Sequence, residues 1–232
     1  MEMNLKGNVH IITEYSYTYT GTDSFLSERI IFSFDSAGYL NMKDWYYNDF
    51  NNKDSTHEIY TYKYDHSGNL VEDSAYQTYE CNYIIRKDYY NFDSLGTLTE
   101  YRTNVNGYLW KIMYTYKYND KKNAVEKTEK DTRNSYTLLY VYGYNEQGNI
   151  TIECKYLTSD DKRYKNKFMW QRRFGYDSCR NIIYKKEYFT DSTKCIHYIY
   201  KYKFDNSRNW VKKTTYDPDS ISSVTVRLIE YF

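Results

Sequence analysis

The sequence predicts an all-β fold: tandem β-hairpin repeats forming one large curled antiparallel meander sheet of about 16 strands. Three observations predict it. One short pattern recurs seven times, its copies 26 to 32 residues apart. The residues flanking each copy alternate aromatic with polar, the period of a strand with one covered face. The 232 residues include 33 tyrosines and a single proline, and Thr, Ile, Phe and Val supply further strand formers.

The pattern reads aromatic, any residue, aromatic, Asp or Asn, two residues, Gly or a basic residue, often Asn, then an apolar residue. A partial copy, Asn4-Leu5-Lys6-Gly7-Asn8-Val9, opens the chain, and the first strand is expected from near Val9. The full copies are anchored at Asp35, Asp65, Asp93, Asn119, Asn145, Asp177 and Asp205. Around Asp65, Tyr60, Tyr62 and Tyr64 alternate with Thr61 and Lys63, which marks a strand. Asp65-His66-Ser67-Gly68 then fits a type I turn, with Asp bonding backbone within the turn and Gly taking a positive φ. Such a turn is a standard hairpin loop. It sets Asp65 opposite Asn69 and Tyr64 opposite Leu70, and simple alternation carries the tyrosine face on through Glu72, Ser74 and Tyr76.

Gly38, Gly68, Gly96 and Gly148 hold the fourth turn position, whereas Lys122, Arg180 and Arg208 replace it elsewhere. Each of those three is followed by Asn (Asn123, Asn181, Asn209), which tolerates a left-handed backbone. Those turns are expected to be shifted or strained and the least stable. Polar loops such as Asn51-Asn52-Lys53-Asp54 and Thr158-Ser159-Asp160-Asp161 join hairpins. The closing segment Arg227-Leu228-Ile229-Glu230-Tyr231-Phe232 resembles Arg29-Ile30-Ile31-Phe32-Ser33-Phe34 and stops where the next anchor would fall.

The unbroken repeat predicts one domain over residues 1–232. About 16 strands at ~4.8 Å spacing span roughly 75 Å. A sheet that wide twists and must curl, spiral or fold onto itself, aromatic face inward. Terminal strands would leave unpaired edges suited to self-association or a partner strand. A net charge of +1 provides no general field for nucleic acid. No apolar run is long enough for a transmembrane helix, and Met1 to His10 holds no signal core. A membrane barrel is disfavoured because Glu126, Lys127, Glu129, Lys130, Lys212 and Lys213 put charge on both parities. Cys81, Cys154, Cys179 and Cys195 have no metal-ligand spacing. In a plain meander Cys154 and Cys195 stand about 14 Å apart, beyond the ~7 Å disulfide limit, so free thiols are expected.

The run from Tyr62 to Leu70, with Phe92-Asp93-Ser94-Leu95-Gly96 and Tyr144-Asn145-Glu146-Gln147-Gly148-Asn149, resembles the YD repeat of the Rhs family over nearly the whole chain. The resemblance implies a long hairpin sheet that, in large members, spirals into a hollow shell around a toxin domain. It also implies export or a cell-surface location, and carbohydrate binding in some members. The opening Leu5-Lys6-Gly7-Asn8-Val9 looks like the start of small secreted lipoproteins of Bacteroidetes type. The period is longer than is usual for the family, and neither a toxin domain nor the core-closing segment is found.

Candidate site residues are few. Glu72, Glu100 and Glu126 share one repeat position, read as lying on the tyrosine face. Carboxylates on an aromatic wall can bind sugar hydroxyls or, as a pair, act as glycosidase acid and base. Recurrence at a repeat position favours a structural role, accepting hydrogen bonds from tyrosine hydroxyls. Trp45 and Trp110, near hairpin ends, are the candidate sugar-stacking platforms. Trp170, sharing parity with Phe168, Phe174 and Tyr176, and Trp210, just after a turn, read as core. Lys162 to Arg173 is basic with interleaved aromatics, as a single-strand nucleic-acid site would be. Parity, however, puts Arg163, Lys165, Lys167 and Arg173 opposite Phe168 and Trp170, a solvated face. His10, His57, His66 and His197 are dispersed, and no metal, cofactor or catalytic residue is assigned. The expected function is a non-enzymatic exported scaffold or binding protein, meeting glycan or protein through its aromatic face or a sheet edge. The alternatives are a glycoside hydrolase-like enzyme with an aromatic cleft, a fragment of a toxin-encapsulating shell, and a cytoplasmic location.

Overall fold

The computed structural model describes residues 5–20, 22–48, 55–79, 82–134, 136–159, 166–190, 195–217 and 220–232. Sixteen strands follow in order: β1 (Val9–Thr20), β2 (Asp23–Phe34), β3 (Leu40–Asn48), β4 (Ser55–Tyr64), β5 (Leu70–Tyr79), β6 (Asn82–Phe92), β7 (Leu98–Val105), β8 (Tyr108–Tyr118), β9 (Ala124–Asp131), β10 (Tyr136–Tyr144), β11 (Ile150–Ser159), β12 (Lys167–Tyr176), β13 (Ile182–Phe189), β14 (Cys195–Phe204), β15 (Trp210–Asp217) and β16 (Ser220–Tyr231). Each neighbours the next in sequence, and the order closes into a barrel because β1 also pairs with β16. No helix of the described residues is long and apolar enough to cross a membrane.

Closure corrects the expectation of free edges. Val9 to Thr18 pairs with Ser223 to Tyr231, so the terminal strands satisfy each other's backbone groups and leave no edge there to recruit a partner. Asn209, at the last turn, holds this seam. Its side chain accepts from the Lys6 amide (2.7 Å) and donates to the Lys6 carbonyl (2.7 Å) and the Tyr231 hydroxyl (2.9 Å).

The chain forms two compact units: Met1–Tyr89 with Asn104–Tyr108 and Lys201–Phe232, and Tyr90–Thr103 with Leu109–Tyr200. The first has an apolar cluster of Val9, Ile12, Phe32 and Phe34. In the second, tyrosine rings and ion pairs cover much of the inner face.

The turns follow the pattern. In the Asp65 hairpin the Gly68 amide donates to the Asp65 carbonyl (3.0 Å), and Ser67 and Asn69 amides donate to Asp65 Oδ1 (2.8 and 2.9 Å). Lys122, Arg180 and Arg208 keep the same geometry at φ of 62°, 66° and 65°, so these turns are strained rather than shifted. Gly68, at φ 82°, has a second constraint: an added Cβ would meet the Tyr39 hydroxyl at 2.5 Å. Gly68→Val should therefore cost roughly 1–2 kcal/mol more than Arg208→Val, which starts from a residue already bearing the left-handed penalty. Equal melting shifts for the two variants would contradict this.

The second tyrosine of the repeat has a defined task. Tyr64 donates its hydroxyl to the Leu40 carbonyl (3.0 Å), Tyr144 to Ala124 (2.6 Å) and Tyr176 to Ile150 (2.7 Å). Each reaches the first strand residue after the preceding turn, so one hydroxyl both satisfies itself and fastens consecutive hairpins.

A bulge beside the turn changes which face the outgoing strand presents. Tyr64 pairs with Leu70 as expected, but Lys63 pairs with Glu72 and Tyr62 with Asp73, leaving Val71 as the extra residue. The same register shift occurs beside the turns of β2–β3, β8–β9, β10–β11 and β12–β13. The tyrosine face therefore continues through buried Asp73 and Ala75, not through Glu72, Ser74 and Tyr76. Tyr62, Tyr64, Tyr116, Tyr142 and Tyr144 are partly covered, whereas Tyr118, expected to be enclosed with them, is 47% exposed. Lys63 and Lys117 point outward, their side chains 69% and 73% exposed.

Candidate functional site

In the first unit the inner face encloses a cavity of about 720 Å³. Alternation along β1 and β2 brings Glu14 and Ser16, then Glu28, Ile30 and Phe32, to this face. Register across β3 and β4 adds Lys43, paired with Phe32, and Tyr62. Trp210 and Lys213 of β15 and Thr225 and Arg227 of β16 complete the wall from the far end of the chain. Closure of the order at β1–β16 is what brings these residues beside Glu14.

Arg227 is 7% exposed and fixed from two sides. Its Nε donates to Glu14 Oε1 at 2.6 Å, and its guanidinium lies 3.3 Å from the Trp210 ring centroid. Its Nη1 finds no hydrogen-bond partner. Burial pulls its pKa below the ordinary guanidinium value, and the Glu14 carboxylate works in the opposite direction. Glu28 accepts the Trp45 indole Nε1–H at 3.0 Å.

Lys43 differs from Arg227 in the same wall. Its ammonium lies 4.5 Å from the Trp45 ring centroid and 4.8 Å from that of Tyr60, with no carboxylate of the described residues at ion-pair distance. Burial lowers its pKa, while Glu58 and Glu28 at longer range pull it back up. In the second unit several inner-face cations are matched, although Lys155, opposite Trp170, is like Lys43 held by a ring alone among the described residues, 5.2 Å from the Tyr140 centroid. Arg172 meets Glu187 at 2.6 Å and Glu153 at 3.7 Å, Lys185 meets Glu187 at 3.5 Å, and Lys127 meets Glu129 at 3.7 Å.

The candidates named from sequence fare differently. Trp45 faces inward but acts behind the cavity wall, orienting Glu28 and carrying Lys43. Trp110 lies in the second unit with the Arg133 guanidinium 4.6 Å from its ring centroid. Glu72 and Glu126 are not on the tyrosine face. They pair on the outer face with Lys63 at 2.7 Å and Lys117 at 2.6 Å. Glu100 accepts from Asn91 at 3.0 Å and from Arg102 at 2.5 Å, and also pairs with Lys111. Its carboxyl is held below the usual range, first by the Lys111 hydrogen bond and then by that of Arg102. The three glutamates are thus engaged by neighbouring side chains and are not brought together as a pair.

Trp210 is packed as expected, with Tyr202 edge-on at 6.1 Å. Trp170 and Phe168 do not share a face: a register shift sets Trp170 opposite Lys155 and Phe168 opposite Tyr156. Lys167 pairs with Leu157 on the face of Trp170, so it is not on the opposite side. Arg163 and Lys165, with Asn4, the Asn51 to Asp54 loop, Cys81 and Pro218, lie outside the described residues. Cys154, Cys179 and Cys195 are free. Among the described residues no group of three or more His, Cys, Asp and Glu side chains is placed to hold a metal.

Glu14, Glu28, Lys43, Lys213 and Arg227 escaped the sequence reading. One signal was present for Glu28, which shares parity with Ile30, Phe32 and Phe34. Nothing local marks the others, because their facing depends on bulges and on the pairing of the two ends.

No family model matches the chain, and no curated protein matches it. Among solved structures it is similar to a porin-like protein from Bacteroides uniformis, at 11% identity and TM-score 0.57, over 97% of this chain and 99% of that one. It is also similar to part of TcdB2-TccC3-Cdc42, at 12% identity and TM-score 0.31, and of TcdB2-TccC3, at 11% and 0.32. The alignment with each of these two covers 90% of this chain and only 14% of the longer one. The first likeness is one of fold, over the whole length of both chains.

Proposed function

We propose that the chain is a non-enzymatic binding protein that holds a saccharide against the inner face of its first unit. One observation carries the reading. A cavity of about 720 Å³ is lined by the rings of Tyr62, Tyr64 and Trp210 and by the charged groups of Glu14, Glu28, Lys43 and Arg227. Its size is that of a small-ligand site. Flat aromatic faces suit the C–H face of a pyranose, and carboxylates and cations beside them suit its hydroxyls. A glycosidase needs one carboxyl free to donate a proton and a second placed opposite it. Here Glu14 is occupied by Arg227 and Glu28 by Trp45. Export to the cell surface belongs to the same proposal and rests on the resemblance to YD-repeat proteins. A pore through lipid is not proposed, because the outer face of the first unit carries Arg29, Asp44, Lys63 and Glu72.

The test is a glycan array followed by a hydrolysis assay on every hit. Binding without turnover is expected, weakened at least about tenfold by Tyr62→Ala, the loss of one stacking ring. Absence of any saccharide hit, or release of reducing ends from a bound glycan, would overturn the proposal.

A further inference from the structure

We infer that the saccharide is acidic, its carboxylate docking at Lys43 while its rings lie along Tyr62, Tyr64 and Trp210. The inference rests on the saccharide reading and names its chemical class. The charges lining the cavity are unequal: Glu14 and Glu28 face Lys43, Lys213 and Arg227. Both carboxylates already have a close donor, Arg227 Nε at 2.6 Å and Trp45 Nε1 at 3.0 Å. Lys43 has only aromatic rings, at 4.5 and 4.8 Å, and no ion pair among the described residues.

A half-buried ammonium held only by ring faces lacks a charge-assisted hydrogen bond that an anion would supply. Of the second unit's inner cations, Lys155 shares the ring-only setting, 5.2 Å from the Tyr140 centroid, but does not line this cavity as Lys43 does, and others are paired. Arg172, Lys185 and Lys127 each have a glutamate within 3.7 Å. Arg227 adds a second point of positive charge: it is 7% exposed, and its Nη1 is without a partner. Aromatic rings flanking a cation suit a sugar acid better than a bare inorganic anion, because the ring faces then also cover apolar C–H surface. Ring stacking and charge pairing come from different residues, so they can be separated by experiment.

The probes are tetragalacturonate and tetraguluronate, each with its fully methyl-esterified form, which keeps the rings and removes the charge. Calorimetric titration of the full chain should show at least one acid binding about tenfold or more tighter than its ester, the worth of a charge-assisted hydrogen bond. That preference should shrink as salt is raised. Lys43→Met should bring the acid-to-ester ratio to about 2 or below, whereas Lys63→Met on the outer face should leave it unchanged. If Lys43→Met does not fold, the salt dependence of the unsubstituted protein decides. Equal binding of acid and ester would overturn the acidic assignment and leave the saccharide reading standing. Binding of neither, together with an empty glycan array, would overturn both.

Discussion

Glu14→Ala is expected to destabilise the barrel by about 3–5 kcal/mol, the cost of removing one partner of a buried ion pair. The substitution leaves the Arg227 guanidinium, 7% exposed and pressed against Trp210, without its carboxylate. It does so at the β1–β16 pairing, where the two ends of the chain meet. The double variant Glu14→Leu with Arg227→Met should recover most of the loss, since apolar groups of similar volume commonly replace a buried pair at little cost. Urea denaturation of the unsubstituted protein, Glu14→Leu, Arg227→Met and the double variant measures this directly. Losses that simply add in the double variant would show that the pair does not act as a unit.

Alkaline solution should unfold the protein sharply. Burial, the largest cause, pushes the Tyr200 hydroxyl up to about 12, and burial likewise raises Tyr60, Tyr62, Tyr114, Tyr140 and Tyr142. In the unfolded chain these phenols ionise near their ordinary value of ~10. Below that pH both states are protonated and the tyrosines' contribution is fully present. As pH rises from ~10 towards the folded values, only the unfolded state gains by losing protons, and stability falls. A fully buried phenol would lose up to ~1.4 kcal/mol per pH unit. These tyrosines are only partly covered, so about half of that each is the better figure. Six such groups then remove roughly 4 kcal/mol per unit, a large share of a domain's stability. Absorbance at the phenolate band and circular dichroism, followed together, should show a cooperative release of protons coincident with loss of strand signal. Independent titration of all the tyrosines near their ordinary value, with the fold intact, would contradict this.

Much of this architecture could be read from residues in order. Asp65, Gly68 and the alternation of Tyr60, Tyr62 and Tyr64 define a hairpin locally, because the turn's hydrogen bonds lie within five residues. Even Lys122, Arg180 and Arg208, which break the glycine rule, keep their turns because the anchor side chain and the following Asn still close the loop. The candidate site was far less legible. Glu72 looks like a tyrosine-face residue until the Val71 bulge is known, and Asp73 like an outward one. Arg227 sits in a segment resembling that of Arg29, yet it pairs with inward Glu14, while Arg29 pairs with Tyr15 on the other face.

The sequence by itself determined the hairpins, their number, the antiparallel order and the tyrosine lining, since each depends on contacts between near neighbours. Tertiary structure alone decided that the ends pair, that Glu14 meets Arg227, and that Lys43 is left with aromatic rings. A bulge carries no residue signature here, yet it inverts the facing of every position beyond it. Closure joins strands some 200 residues apart, as in Glu14 with Arg227 (separation 213), and no local preference can encode such a pairing.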